Sequence, residues 1–174
     1  MKNAVTRTEH SGRVSFTFTS MPQNAADVRE LLDVYPLNNK YNTAALFIAA
    51  LVRYVENPED GVNMIDALKG PKPLSTMDKA FLKDRFSDKK YLAKSYFEGA
   101  KPENGYEPEK PWELVIYDDP MSPPEGYSYV NIKSSGSENP RRIVMRKKDS
   151  EHFLWEYNGA LLSIHLPKEE DPWI

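Results

Sequence analysis

The hydrophobic pattern of this chain changes period once. Up to about residue 99 the apolar residues recur every three to four positions. After a loop over 100–111 they recur every second position. A helix repeats its faces every 3.6 residues and a strand every 2, so a helical block must pack against a sheet drawn mainly from the second half. One early segment departs from this order. Val14-Ser15-Phe16-Thr17-Phe18-Thr19 alternates strictly and reads as a half-buried strand with Val14, Phe16 and Phe18 on its inner face. It has no partner nearby in sequence, so it is expected to join the late sheet. The expected fold class is therefore α+β: an N-terminal strand, a helical block, then an antiparallel sheet with helices packed on one face. Residues 1–12, polar and of both charge signs, are expected to be a flexible N-terminus, and 13–174 a single α+β domain.

The helical block carries its own punctuation. Asn24 is placed to cap a helix with Val28, Leu31, Leu32 and Tyr35 on one stripe, ended by Pro36. Asn42 or Thr43 is the expected cap of the next helix, over 44–55. Its Leu46, Phe47, Ile48, Leu51 and Val52 leave little polar surface, so it is expected at the centre of the core. Asn57-Pro58-Glu59-Asp60 has the cap, proline and acids of a helix start. Ser75-Thr76-Met77-Asp78 is another, with Asp78 in the role of the capping-box acid. In the second half, 112–117, 127–133, 143–147 and 152–157 read as strands. The last two form a hairpin around Lys148-Asp149-Ser150-Glu151.

A chain of 174 residues can bury a full core without staples. It has no cysteine, which excludes disulfides, thiolate metal sites and thiol nucleophiles. The net charge of −3 argues against a dedicated nucleic-acid binder. The longest apolar stretch, 44–52, is far short of the ~20 residues that span a bilayer. The expected setting is cytoplasmic, with no membrane and no nucleic-acid partner. No cofactor or metal is expected: no phosphate loop or dinucleotide fingerprint occurs, and His10, His152 and His165 show no zinc-type spacing.

A set of short matches lies in the second half. Tyr91-Leu92, Ser95-Tyr96-Phe97-Glu98-Gly99-Ala100, Pro102, Asn104, Tyr106 and Pro108 form the first group. Ser135-Gly136, Pro140-Arg141 and Arg146 form the second, and Phe153-Leu154-Trp155-Glu156-Tyr157 and Asp171-Pro172-Trp173 the third. In order and spacing these residues resemble a bacterial family that carries only a domain-of-unknown-function label, over roughly residues 70–174. The resemblance implies no activity, so it assigns no catalytic role to any residue.

Candidate site residues come from charge and loops. Pro140-Arg141-Arg142, followed by Arg146, Lys147 and Lys148, is the main basic cluster. Alternation places Arg142, Val144, Arg146 and Lys148 on one strand face, where arginines can form a fork for phosphate or carboxylate. The commoner role of such a stripe is the solvated face of an edge strand. Asn104 and Tyr106 stand in the loop where the helical block meets the sheet, a setting in which function often collects. Arg141, Arg142, Arg146, Asn104 and Tyr106 are therefore the candidate binding residues, with an acidic ligand or protein as the expected partner. The aromatics concentrated in the second half suit either a pocket or core anchoring. Asp118-Asp119 and Glu169-Glu170-Asp171 abut prolines and read first as turn chemistry. No nucleophile–base pair is readable. The expected function is a non-enzymatic binding or interaction module. The alternatives are a small hydrolase- or isomerase-like enzyme with a pocket between sheet and helices, and a structural subunit pairing through its sheet.

Overall fold

The computed structural model describes residues 1–174. Six antiparallel strands lie in chain order across one sheet: β1 (Val5–His10), β2 (Arg13–Phe18), β3 (Trp112–Asp118), β4 (Tyr127–Ile132), β5 (Arg141–Lys148) and β6 (Glu151–Glu156). The helical block is inserted between β2 and β3 as α1 (Ala25–Val34), α2 (Lys40–Glu56), α3 (Pro58–Asp66) and α4 (Thr76–Phe86). The chain is thus α+β with an N-terminal strand, as the change of period requires. The segment over 14–19 does join the late sheet: Val14, Phe16 and Phe18 face Ile116, Leu114 and Trp112 of β3.

The sheet also has a strand before that one. β1 pairs with β2 along its full length, from Val5 opposite Phe18 to His10 opposite Arg13, within the region expected to be a flexible terminus. Its alternation is invisible because Val5 is its only buried residue. Arg7 occupies the next inward position, with its guanidinium 5.8 Å from the centre of the Phe16 ring. Charge on an edge strand is a usual guard against pairing with other chains.

α2 is the central helix, packed against β3, β4, β5 and β6. Leu46, Phe47, Ile48, Leu51 and Val52 are buried in it as expected. It starts one turn earlier than expected. Asn39 caps it by accepting from the Tyr41 N–H at 3.0 Å. Asn42 and Thr43 are buried within the helix instead. The Asn42 amide donates to Pro36 O, and the Thr43 hydroxyl donates to His152 O at 2.7 Å, tying α2 to β6. The other three caps form at Asn24, Asn57 and Ser75, the last as a full capping box with Asp78.

The outer edge of β6 is covered by backbone. His152 N–H donates to Leu37 O at 2.7 Å and Leu154 N–H to Leu68 O at 2.9 Å. The second of these bonds staples the turn after α3 to the sheet, and a cavity forms there.

Candidate functional site

The five candidate residues do not converge. Arg141 and Arg142 are neighbours on a strand and point to opposite faces. Arg141 donates to three carbonyls, those of Asn139, Leu162 and Ser163, at 3.1–3.2 Å. It clamps the chain after β6 rather than pairing with an acid. Arg142 makes a two-pronged contact with Asp119, Nε to Oδ2 at 2.7 Å and Nη2 to Oδ1 at 3.1 Å. The Asp119 side chain is 2 % exposed. Burial works against its charge. The fork from Arg142, the Met121 N–H and the charges of Arg142 and Lys40 outweigh this and hold the carboxyl below its usual range. The fork of Arg142 is therefore already occupied.

Asn104 and Tyr106 build their own loop. The Asn104 side chain accepts from the N–H groups of Lys101 and Glu107 and donates to Gly99 O and Glu107 O. Tyr106 is fully buried, stacks on Tyr91 at 5.1 Å and donates to His165 O at 2.7 Å. Burial pushes its phenol up to about 12, so it stays a neutral donor. The serine-rich loop after β4 packs here too. Gly136 lies so close that a Cβ would stand 2.3 Å from the Tyr106 hydroxyl. Ser134 Oγ meanwhile donates to Ser95 Oγ at 2.7 Å.

Arg146 is different. Its guanidinium lies 4.5 Å from the centre of the Tyr127 ring and 5.8 Å from that of Trp155, with no carboxylate partner. It forms one wall of a cavity of about 280 Å³ between the β5–β6 hairpin and the turn joining α3 to α4. Lys147 and Lys148 line the cavity from β5, and Lys69 and Lys72 from the turn. Pro71, Phe153 and Trp155 complete it, and no carboxylate lines it. Lys72 Nζ rests 4.8 Å from the centre of the Trp155 ring. The rings that hold Lys72 and Arg146 position them without neutralising them.

Lys69 is the unusual member. It is 6 % exposed, and no ion pair or hydrogen bond engages its ammonium. The nearby acids are committed elsewhere: Asp66 accepts from Leu74 N–H and Asp78 from Ser75 N–H. Burial pulls its pKa down, the charges of Asp66 and Asp78 only partly compensating. The turn that buries it is fixed by Gly70, whose φ of +58° suits glycine and where an added Cβ would stand 2.6 Å from the Phe153 ring. Sequence reasoning found Arg146 but not the two lysines of Lys69-Gly70-Pro71-Lys72. The positive charge of these residues on a Gly-Pro turn was the available signal.

Two other places have chemical potential. Ser128 Oγ and His152 Nδ1 are 2.7 Å apart, a nucleophile–base contact that was invisible in sequence. Burial first, then Lys147 and Lys40, lower the pKa of this imidazole below its ordinary value. The serine is 6 % exposed, and neither residue lines any of the four main cavities. The largest cleft, about 560 Å³ beside the end of α2, mixes Glu56, Asp88, Glu169 and Glu170 with Lys90 and Lys94. Glu56 is paired with Arg53 and Lys94 with Glu107, which leaves Asp88, Glu169 and Glu170 against Lys90, a modest excess of negative charge. No group of three or more His, Asp or Glu side chains gathers as a metal site, and no helix is long and apolar enough to cross a membrane.

Comparison of the chain with curated proteins and with solved structures returned no match. Comparison with family models matched residues 20–168, which takes in α1–α4 as well as the second half and every residue lining the basic cavity. The chain belongs to the family defined by a domain of unknown function, DUF6935.

Proposed function

We propose that this protein is a non-enzymatic binding module that takes the anionic group of an acidic ligand or partner into the cavity under the β5–β6 hairpin. The observation that carries this reading is Lys69: a lysine only 6 % exposed, whose ammonium has no ion pair or hydrogen bond and keeps access to a cavity lined by four further cations and no acid. A buried charge without a partner lowers stability. An anion from outside removes that penalty, and the low dielectric around the site strengthens the attraction. Lys69 is held by burial and Lys72 and Arg146 by their ring contacts, so these three cations lose little ordering entropy on binding.

Thermal melts at constant ionic strength test the reading, with sulfate and citrate as probes. A ligand at 100 times its Kd stabilises the native state by about 2.7 kcal/mol. The melting temperature of the wild type should rise with either anion, and the rise should vanish in Lys69→Met. An equal rise in both proteins would sink the proposal, because it would be a general salt effect.

A hydrolase-like enzyme is the second reading, favoured by the Ser128–His152 contact alone. It lacks a third residue orienting the imidazole and a cavity at the hydroxyl. Turnover of an activated ester that disappears in Ser128→Ala would move the assignment to it.

A further inference from the structure

The donors of the basic cavity differ in kind from the arginine fork elsewhere on the same strand. The planar fork of Arg142 is closed on the carboxylate of Asp119. The cavity instead presents four lysines and one arginine. An ammonium is a point charge with three freely rotating donors, suited to surround a tetrahedral oxyanion. A planar carboxylate is matched best by a guanidinium. The charge points the same way, because one carboxylate offsets a single cation while a phosphomonoester carries about −1.5 to −2. The volume of about 280 Å³ lies just below the range of roughly 300–1,000 Å³ for whole drug-sized ligands, so it fits a head group. Phe153, Pro71 and the partly exposed Trp155 offer apolar surface to whatever carries that group.

Resting on the anion-binding reading above, we infer that the cavity takes a phosphoryl group, as a phosphomonoester or diphosphate, rather than a carboxylate. A nucleic-acid strand laid across the sheet fits less well. Tyr117, Tyr127 and Tyr129 already carry Lys133, Arg146 and Arg142 over their rings at 4.1, 4.5 and 4.2 Å, which leaves those faces unavailable to stacked bases.

The pH dependence separates the classes. Lys69 is faced by Asp66 of α3, Asp78 of α4, Lys72 of its own turn and the ring of Tyr157 beyond β6. Lys147 is faced by His152 of β6. Protonation of His152 on acidification adds positive charge, which tightens binding of any anion. A phosphoryl group changes the other way, losing charge below its second pKa of about 6. Sulfate stays a dianion throughout and serves as the tetrahedral control.

Isothermal titration at constant ionic strength with phosphate, pyrophosphate, sulfate and citrate tests this. Pyrophosphate should bind at least tenfold tighter than citrate at pH 7.5. Phosphate should weaken severalfold between pH 7.5 and 5.5, while sulfate does not weaken. Lys69→Met and Lys148→Ala, the second at an exposed position where folding is not at stake, should each weaken pyrophosphate binding at least tenfold. Citrate binding as tightly as pyrophosphate, with the same dependence on Lys69, overturns the phosphoryl assignment and leaves the anion-binding reading standing. Absence of binding by all four anions overturns both. Glycerol 3-phosphate and a phosphoserine peptide then tell the carrier. Tenfold preference for either supports the assignment and says whether a small molecule or a protein segment presents the group. Neither exceeding citrate overturns it.

Discussion

Gly70 and Phe153 are in such close contact that a Cβ on residue 70 would stand 2.6 Å from Cδ1 and Cε1 of the ring. The contact joins the turn after α3 to β6, beside the backbone bond from Leu154 to Leu68. It fixes two walls of the basic cavity at once, since Lys69 and Phe153 both line it.

Gly70→Ala should therefore damage stability and site together. The added Cβ meets an aromatic ring, and φ of +58° is unfavourable for alanine. Left-handed backbone costs roughly 1–2 kcal/mol and overpacking typically about 1–3 kcal/mol. A loss of about 2–5 kcal/mol in urea unfolding is expected on those grounds, with weaker anion binding in the fraction that folds. A loss under about 0.5 kcal/mol, the usual size of an innocuous surface change, would show that the turn relaxes freely.

Lys69→Met should have the opposite sign. Burial lowers the pKa of Lys69, so its contribution to stability is favourable only above its unfolded value and is lost as pH falls through the folded one. At pH 7, below the unfolded value, burial disfavours the charged form and the residue lowers stability. Methionine fills a similar volume without charge, so the melting temperature of the unliganded protein should hold or rise while anion binding is lost. Such a trade of stability for function is common at binding sites. A clear fall in melting temperature would mean that the ammonium holds the fold through its contact with Tyr157, 5.9 Å from the ring centre.

The arginine pair at the start of β5 tests structure rather than binding. Removing Arg142 leaves the buried carboxylate of Asp119 with only the Met121 N–H. Hydrogen bonds to charged groups contribute about 1.5–3 kcal/mol, and partial exposure of the arginine, 39 % of its side chain, favours the lower end. Arg142→Ala should cost about 1–2 kcal/mol on this basis and leave anion binding unchanged. The sign with pH follows from the depressed Asp119 carboxyl. Its stabilisation is present above the ordinary carboxylate range and is lost as pH falls through the folded value. Acid unfolding of the variant should begin at a higher pH than in the wild type. Coincident acid transitions would remove Asp119 from the account.

What was legible in the sequence was what is decided locally. The caps at Asn24, Asn57 and Ser75 depend on neighbours within three residues, and all three form. The burial of Leu46 through Val52 follows from a helix without a polar face. β1 escaped because an edge strand with one buried residue carries no alternation. The α2 cap was misplaced because Thr43 is used by β6, a partner far away in the chain. The same reason explains the site. The basic run of β5 was visible, but Arg141 and Arg142 are spent on Leu162, Ser163 and Asp119, which nothing near them in sequence announces. The cavity arises only when the sheet edge brings Lys69 and Lys72 beside Arg146.

The buried histidine gives a last measurable consequence. His152 bonds Ser128 through Nδ1, and burial together with Lys147 and Lys40 holds its pKa below the ordinary 6.5. In the unfolded chain the imidazole protonates at about 6.5, while in the fold it resists. For a depressed pKa the stabilisation is present above the unfolded value and is lost as pH falls toward the folded one. His152 therefore makes stability decline below about pH 6.5, with a slope of at most about 1.4 kcal/mol per pH unit for one proton. His152→Gln keeps a group able to bond Ser128 but cannot titrate. Urea unfolding at half-unit intervals from pH 5 to 7.5 should show a shallower decline in the variant. Parallel profiles would place the proton uptake elsewhere, and the Ser128 contact would then be bearable with a charged ring. That result would also revise the site. An imidazole that protonates at its ordinary value would become cationic opposite Lys147 only below about pH 6.5, and there it would add a sixth positive charge near the cavity and strengthen its hold on anions.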